Sequence, residues 1–491
     1  MLDYQPLSQK ESKKMSSEQS FGRPCARNCA VSQFWPAIVV FIQILGLTLA
    51  LPQLVYGQQG QANRFLLDNV RVIVGDGSVL ESGALLIEGS RIAAVGSRSE
   101  LEPDLSVEVI DLNGKTIMPA LIDSHAHLGY EGHTSWGAEN YSRENLIDHL
   151  QRYAYYGFSA VFSAGSDPDA LAFEVQQAQL SGEFPSARFL FAAGMAPPGQ
   201  GPNDQFLTHA VALEQKTGQR ILYGVASVEQ AIESVRQIAA KNISVIKIWV
   251  DDRGGSQQKL APQLYRAIAD EAAENGIEIY AHQQYAEDMP DLLEAGVSGF
   301  LHGRIGVDLG PEIAQQLTAA NAFVVPNVGL GELRREAIGA DQFLRASLPE
   351  SVAARLGESG QRLLKPNRAE AREAELRASF GHLLDANVDI VLGTDAGAVP
   401  DHFFGYTGHR ELEIFVRLGM TPMQAIVAAT SKPAQRLGLG DLGLLQPGYS
   451  ADFVVLDENP LADIRNTRSI SSVFLNGKML DRADLAAHFV Q

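Results

Sequence analysis

The sequence predicts an α/β fold, a (β/α)8 TIM barrel joined to a small β-sandwich domain formed by both chain ends. Strand-like and helical stretches alternate between residues 116 and 397, and short hairpin-like strands flank this region on either side. Such alternation is typical of parallel strands joined by helical crossovers. Eight strand–helix units fit a closed barrel better than an open, doubly wound sheet.

Both ends of the alternating region carry the pattern of a small β domain. FLLDNVRVIVGDG and ALLIEGSRIAAVG resemble hairpin strands with Gly and Asp at the turns, and ADFVVLDENP and ISSVFLNGKML repeat that pattern near the other end. Neither half is long enough to form its own core. We therefore expect residues 64–115 and 440–485 to meet as one composite domain beside a barrel of residues 116–439.

The eight predicted barrel strands are apolar segments that end in small or polar residues. They are residues 116–123, 159–165, 187–194, 244–251, 277–283, 298–304, 321–328 and 389–397. The long gap before the last strand is rich in Ala, Arg and Glu. It predicts a helical insertion at about 329–388.

The bulk composition excludes some classes of protein. Of the 491 residues 45% are hydrophobic and 20% are charged, as in a soluble globular enzyme. The net charge of -19 argues against a nucleic-acid partner, because binding phosphate requires clustered Lys and Arg. We expect a small-molecule substrate, and a homo-oligomer stays open.

Residues 1–57 have the pattern of an export signal. A segment with several Lys and Arg residues precedes an apolar run from Pro36 to Leu51, and small residues follow up to Gly57. Cleavage near Gly57 would give a periplasmic or secreted protein, and an uncleaved segment would be a membrane anchor facing outside the cytoplasm. Both cysteines, Cys25 and Cys29, lie in this leader. The exported part would contain neither a disulfide nor a Cys-ligated metal.

The first barrel strand ends in IDSHAHLG, which contains two histidines two residues apart. Side chains at that spacing in a strand point to the same face, so His125 and His127 project together. At the carboxyl end of a barrel strand that face belongs to the active site. Two imidazoles there can reach one divalent cation, although a pair of structural histidines has the same pattern.

Other ligand candidates end neighbouring strands. Lys247 lies in VIKIWV, where an unpaired ammonium would be costly to bury. His282 ends the fifth strand, His302 the sixth, and Asp395 lies in GTDAG at the end of the eighth. Five strands thus each deliver a ligand to the same end of the barrel, which predicts a metal site there.

These motifs carry a resemblance to a known family. The chain resembles the amidohydrolase superfamily, in the branch near imidazolonepropionase and the metal-dependent Xaa-Pro dipeptidases, from about Phe65 to Met479. The motifs are MPALIDSHAH, IKIW, AHQQ, LHG and GTDAG, together with the tail TSKPAQRLGLGDLGLLQPGYSADFVVLDENPLADI.

The resemblance implies two divalent cations, zinc being the default. His125, His127 and Asp395 would hold the more buried cation. His282 and His302 would hold the more exposed one. Lys247 would be N6-carboxylysine, whose carbamate would bridge both cations.

The resemblance also implies a mechanism. A bridging water with a lowered pKa would supply a hydroxide nucleophile. Asp395 would be the catalytic residue, accepting the proton of the attacking water and passing it to the departing nitrogen.

Three residues are candidates for binding the substrate. Tyr285 could donate to a carbonyl or an oxyanion, or simply pack. Arg304 shares the face of His302 and could bind a substrate carboxylate, or pair with a loop acid. Many relatives carry a histidine after the third strand that orients the substrate carbonyl. His209 lies well downstream of that position, which puts this role in doubt for His209.

The predicted activity is hydrolysis of a C–N bond in an N-acyl amino acid, a dipeptide or a cyclic amide. Hydrolysis of a phosphoester or lactone is the alternative, because the same centre serves those substrates. An inactive binding or scaffolding protein is the alternative of another class.

Overall fold

The computed structural model describes residues 64–101, 107–132, 134–202, 204–302, 309–332, 338–358 and 366–490, all of them within one compact unit, Gln58–Gln491. The predicted export signal, residues 1–57, lies outside the described residues, and so does Arg304. Within the described ranges, no helix has the length and apolarity needed to cross a bilayer.

The strands alternate with helices through most of the chain. The strands are β1 (Arg64–Ile73), β2 (Val79–Glu88), β3 (Arg91–Gly96), β4 (Glu108–Asp111), β5 (Thr116–Pro119), β6 (Leu121–Ala126), β7 (Phe158–Ser163), β8 (Arg188–Phe191), β9 (Ala193–Ala196), β10 (Leu222–Gly224), β11 (Val245–Val250), β12 (Glu278–Gln283), β13 (Gly299–Leu301), β14 (Phe323–Val325), β15 (Asp389–Ile390), β16 (Phe453–Leu456), β17 (Ile470–Leu475) and β18 (Lys478–Met479).

The helices lie between and after these strands. They are α1 (Arg143–Tyr155), α2 (Asp169–Leu180), α3 (Asp204–Thr217), α4 (Val228–Ala240), α5 (Pro262–Glu274), α6 (Met289–Glu294), α7 (Pro311–Ala319), α8 (Gly329–Glu332), α9 (Gln342–Arg345), α10 (Glu350–Glu358), α11 (Pro366–Asp385), α12 (Tyr406–Leu418), α13 (Pro422–Ala428), α14 (Ser431–Arg436) and α15 (Arg482–Phe489). Short 3-10 helices cover Ala138–Asn140, Ala286–Asp288 and Ile464–Arg468.

Strands from both chain ends form one mixed sheet. Its order is β18-β17-β16-β5-β1-β2-β3, and β4 pairs with β1. The two ends meet where β5 pairs antiparallel with β16, with Ile117 opposite Val455. Phe65, Phe453 and Phe474 lie in the buried apolar cluster of this sheet. The hairpin between β17 and β18 turns at Asn476 and Gly477, both left-handed, as a tight two-residue turn requires.

The middle of the chain forms parallel sheets. One has the order β6-β7-β8 and the other has the order β10-β9-β11-β12-β13-β14-β15. β8 and β9 are one extended segment interrupted at Ala192, so the two sheets share it. At the other side, the backbone N–H of Ser124 donates to Leu392 O at 2.9 Å and that of His127 donates to Ala396 O at 2.8 Å. Backbone hydrogen bonds therefore also join β6 to the residues that follow β15.

Some strand boundaries differ from the sequence prediction. The strand predicted at 389–397 covers only Asp389–Ile390, and further along the predicted segment Asp395 and Gly397 have left-handed backbones that are incompatible with a strand. The segment predicted at 187–194 is split into β8 and β9, and β10 was not predicted. β10 has only three residues, too few for an alternating pattern to be recognised.

The two-residue period of the strands positions the site. In β11 Val245 belongs to the cluster enclosed by the parallel strands, whereas Ile246 and Ile248 pack in the large cluster that includes the helices. Lys247 is two residues from Val245 and therefore points to the enclosed side. The same alternation in β12 places His282 on the side of Tyr280, which also belongs to the enclosed cluster.

Candidate metal centre

His125, His127 and Asp395 converge after the first and last strands of the parallel sheets. The side chains of His125 and Asp395 are 0% and 5% exposed, and His125 Nε2 lies 3.4 Å from Asp395 Oδ1. His127 Nε2 lies 3.3 Å from the same oxygen. One ligand atom from each residue lies within 4.8 Å of the others. This spacing suits three ligands of one cation.

A second pair of imidazoles continues this group. His282 Nδ1 and His302 Nε2 lie 2.8 Å apart. The His302 ring also stacks on the His125 ring, with 5.1 Å between centroids. The His125 and His127 rings meet at 5.3 Å. Four imidazoles from three strand ends therefore form one continuous series.

Lys247 is buried beside these groups. It is 0% exposed, and its Nζ has no hydrogen-bond partner in the described part of the chain. Burial lowers the pKa of Lys247 from 10.5 to about 7, against the opposing charge of Asp395. Room for the lysine depends on Gly165, where a Cβ would lie only 3.0 Å from Lys247 Cβ. The lowered pKa favours the neutral amine of Lys247 near neutral pH.

The protonation states of the other residues suit metal ligands. Burial holds the pKa values of His125, His282 and His302 well below the usual value. Burial alone would raise the pKa of Asp395, but the hydrogen bond from His127 and nearby positive charges outweigh it and lower that pKa. Neutral imidazoles and an ionised carboxylate are the forms that bind a cation.

Neutral side chains orient the first two histidines. Asn327 Oδ1 lies 2.9 Å from His125 Nδ1, and Ser166 Oγ lies 2.9 Å from His127 Nδ1. Each ring is thereby held with Nε2 turned towards Asp395. The sequence analysis missed both partners, since a polar residue after a strand was the only signal available.

A carboxylate orients His282. Asp251 directly follows β11, and its Oδ2 lies 2.8 Å from His282 Nε2. Arg253 Nε lies 3.0 Å from the same oxygen. The sequence analysis also missed Asp251, although its position four residues after Lys247 places it near the same strand end.

Asp123 connects β6 to the segment after β15, next to His125 and Asp395. Its Oδ1 accepts hydrogen bonds from the backbone N–H groups of His125 at 3.1 Å and Thr394 at 3.0 Å. Its Oδ2 accepts from Thr394 Oγ1 at 2.6 Å and from Tyr153 Oη at 2.7 Å. Burial raises the pKa of Asp123 to about 6 despite these hydrogen bonds. Asp123 thus fixes the segments that carry His125 and Asp395.

Tyr285 and His209, two of the residues predicted to bind substrate, have described contacts of their own. Tyr285 precedes a 3-10 helix, and its ring centroid lies 5.3 Å from Lys259 Nζ. His209 lies on α3, where its Nδ1 accepts from the backbone N–H of Ala138 at 3.1 Å and its ring meets Trp136 edge-on. Neither has a described contact with the four imidazoles, and Arg304 lies outside the described residues.

The buried donors fit divalent cations. His125 Nε2 and Lys247 Nζ are both buried without a hydrogen-bond partner in the described ranges. Leaving such polar atoms unsatisfied is costly. Cations bound by the imidazoles and Asp395 would satisfy His125, and a modified Lys247 would supply an anionic ligand. Imidazole and carboxylate ligands suit zinc and related metals.

Comparisons with known proteins identify the family of the chain. A sequence model described as the amidohydrolase family matches residues 116–480. An imidazolonepropionase of Geobacillus kaustophilus is 27% identical over 412 residues, which cover 79% of this chain and 87% of that protein. An ochratoxinase of Aspergillus niger is 26% identical over 447 residues, which cover 83% and 85% respectively. A crystal structure of a Xaa-Pro dipeptidase with bound methionine covers 85% of this chain and 99% of its own, with a TM-score of 0.65 and 24% identity. At 24% identity, the similarity to the dipeptidase structure shows a shared fold.

Proposed function

We propose, because the chain belongs to the amidohydrolase family, that it is a metal-dependent hydrolase that cleaves carbon–nitrogen bonds. The observation that carries the proposal is Lys247, which is buried beside Asp395 and the histidines without a hydrogen-bond partner among the described residues, with only the Trp249 ring 5.5 Å from its Nζ. A lysine kept only for stability would be paired or would extend its ammonium to solvent. This lysine is placed for a chemical role.

We further propose a closed eight-stranded barrel and a β-sandwich for the terminal domain. The hydrogen bonds between β6 and residues 392–396, together with the shared segment of β8 and β9, support closure. The apolar cluster that both chain ends build supports the sandwich. The sequence predicts the domain boundaries at residues 64–115, 440–485 and 116–439. Because β5 (Thr116–Pro119) pairs with β1 and β16 in the terminal sheet, we propose that the barrel begins after Pro119.

His125, His127 and Asp395 would hold one divalent cation, and His282 and His302 the other. We propose zinc for both, since neutral imidazoles and carboxylates are ligands it favours. When bound, the cations supply Lewis acidity and lower the pKa of water towards neutrality.

Lys247 would join the two sites as a carbamate. Its neutral amine would attack CO2, forming the N–C bond as one C=O π bond opens to an oxyanion, and the proton lost by the nitrogen would pass to solvent water. The lowered pKa of Lys247 supports this step, because a protonated amine cannot attack. The product would be anionic, so two adjacent cations would stabilise it where an ammonium would be costly to bury.

Asp395 would move the proton during hydrolysis. Its carboxylate would accept the proton that the attacking water loses and would return it to the departing nitrogen. The lowered pKa of Asp395 supports its being ionised before the reaction. Tyr285, Arg304 and His209 remain our candidates for contacts with the substrate.

The test is a substrate screen on metal-loaded protein with N-acyl amino acids, dipeptides including Xaa-Pro, cyclic amides, phosphotriesters and lactones. We expect turnover of a compound with a C–N bond, and its loss in Lys247→Ala. Formate or acetate should restore part of that loss by supplying a bridging carboxylate. Turnover confined to phosphotriesters or lactones would favour the alternative chemistry. A wild-type chain without turnover or bound metal would favour a scaffold.

We also propose that residues 1–57 direct export and that the mature chain acts in the periplasm or outside the cell. The order of basic, apolar and small residues in the sequence supports this. Intact mass of the exported protein tests it. Cleavage near Gly57 is expected, and a full-length chain in the membrane fraction would support the anchor instead.

A further inference from the structure

Asp251 is the one carboxylate among the described outer partners of the histidines. Its side chain is 0% exposed. Its Oδ2 accepts from His282 Nε2 at 2.8 Å, and its Oδ1 accepts from the backbone N–H of Arg253 at 2.8 Å. Arg253 has a left-handed backbone with φ 52°. The turn after β11 therefore places Asp251 between His282 and Arg253.

This contact fixes which nitrogen of His282 is available. An ionised carboxylate oxygen accepts hydrogen bonds and cannot donate them, so His282 Nε2 carries the hydrogen. In the neutral ring the lone pair then lies on Nδ1, and Nδ1 is the atom that faces His302 Nε2 at 2.8 Å. Without Asp251 the ring could adopt the other tautomer, which has no lone pair on that side.

The histidines proposed for the two cations differ in their outer hydrogen-bond partners. The amide of Asn327 and the hydroxyl of Ser166 contact His125 and His127, and both groups are neutral. Among these three rings only His282 has an anion as its described outer partner, on the side away from the other proposed ligands. A carboxylate behind an imidazole fixes its tautomer and increases its basicity as a ligand.

We propose that Asp251 is a positioning residue for the second cation. It holds His282 so that the cation shared with His302 binds tightly, whereas the cation of His125, His127 and Asp395 does not depend on it. This inference rests on the proposed metal-dependent function. A purely structural alternative is that Asp251 serves to pair Arg253 and to shape the turn.

The test is Asp251→Asn in the full zinc-loaded chain, with Asp252→Asn as the matched control. Asp252 is the neighbouring residue, and its Oδ1 accepts from the backbone N–H of Gly254 at 2.9 Å within the turn. Both variants lose one negative charge. Zinc content is measured by elemental analysis, and zinc release is followed with a chromophoric chelator.

We expect two zinc ions per wild-type chain, released in two phases. In Asp251→Asn the ion held by His282 and His302 should bind about 10- to 100-fold less tightly, and the ion held by His125, His127 and Asp395 should be unchanged. Asp252→Asn should match the wild type. Asp251→Glu, which retains a carboxylate, should recover part of the loss.

The outcomes separate the inference from the function. A wild-type chain that binds fewer than two ions contradicts the proposed centre itself. A two-ion wild type with unchanged affinities in Asp251→Asn overturns the inference and leaves the function standing. Equal weakening of both ions, or a lower unfolding midpoint of the metal-free variant with unchanged zinc affinities, would assign Asp251 the structural role. If Asp251→Asn does not fold, Asp251→Ser, which also lacks the carboxylate, takes its place, and unchanged affinities of both ions in folded Asp251→Ser overturn the inference too.

Discussion

The proposed ligands of the centre fall into two groups with different backbones. His125, Lys247 and His282 lie within regular strands, where neighbouring residues alternate between two faces, and His127 directly follows β6 without a left-handed backbone. His302 and Asp395 follow their strands and have left-handed backbones, with φ 48° and 60°. Non-glycine residues avoid that region, and holding one there costs about 1–3 kcal/mol.

This difference shows how the two groups are held. A strand directs its side chains through its own pleat, so the backbone of the first group needs little besides β pairing to hold its position, although ring orientation still depends on outer partners such as Asp251. The second group depends on neighbouring contacts. The backbone N–H of Asp395 donates to His125 O at 2.7 Å, and that of His302 donates to Val325 O at 2.7 Å. The left-handed ligands should therefore be more sensitive to changes in adjacent segments.

The largest effect is expected at Asp395, a left-handed ligand with a chemical role. Asp395→Asn retains an oxygen that can bind a cation but loses the base. We expect turnover to fall by about 10²–10⁴-fold while zinc stays bound, since proton transfer is worth that much. Steady-state kinetics and elemental analysis on the same sample measure both. Asp401→Asn, in the ion pair with Arg355, is the control. Full activity of Asp395→Asn would remove it from the mechanism.

At the strand residue Lys247 a substitution should abolish activity and yet increase the stability of the metal-free chain. Its lowered pKa means that the folded metal-free chain binds fewer protons than the unfolded chain between about pH 7 and 10.5. Folding is therefore penalised below that window, and stability increases as the pH rises through it. Lys247→Met removes the penalty, which is on the order of a few kcal/mol.

We expect metal-loaded Lys247→Met to be inactive. Without metal, this variant should be more stable than the metal-free wild type at pH 7, and the gain in stability should shrink towards pH 10. Chemical denaturation at several pH values in CO2-depleted buffer measures this. A variant less stable than the wild type at pH 7 would mean that the wild-type lysine has a partner.

The sequence predicted the strand ligands because their positions follow from local periodicity. HxH in the first strand and Lys247 in an apolar strand need only the two-residue alternation and the rule that active sites lie at the carboxyl ends of barrel strands. His302 and Asp395 were predicted from their place at strand ends. Their left-handed backbones were not predicted, because these depend on hydrogen bonds to distant segments.

The outer partners could not be predicted for a related reason. Asn327 is 202 residues from His125, and Ser166 is 39 residues from His127. Any of several polar residues after the strands could have filled these positions. Choosing among them needs the relative placement of strands that no local pattern encodes. The strand at 389–397 was predicted too long for the same reason, since the turn at Asp395 is imposed by its contacts with the first strand.

A smaller effect should follow from changing the backbone that supports Asp395. Gly397 has φ 83°, and a Cβ there would lie 2.0 Å from the carbonyl oxygen of His127. Gly397→Ala should therefore displace the left-handed segment and lower both stability and metal affinity. Gly448→Ala is the matched control, because Gly448 has φ 89° and its Cβ would meet nothing within 4 Å.

The control should show only the conformational cost of an alanine at positive φ, about 1 kcal/mol, with metal affinity unchanged. Thermal unfolding and zinc competition compare the two variants. Equal losses in both would mean that the contact with His127 does not matter to the site.

The smallest effect is expected at a neutral outer partner of a strand ligand. Ser166→Ala removes the hydroxyl that lies 2.9 Å from His127 Nδ1. Because the adjacent strand already directs His127, losing the hydroxyl should lower the affinity for the first cation by about tenfold, which is the lower end of the range for such outer partners. The affinity for the second cation should be unchanged. Ser166→Thr, which retains the hydroxyl, should restore the affinity. Chelator competition measures each cation separately. A loss at Ser166→Ala larger than that at Gly397→Ala would reverse the comparison, because the strand ligands would then depend on their surroundings more than the left-handed ones do.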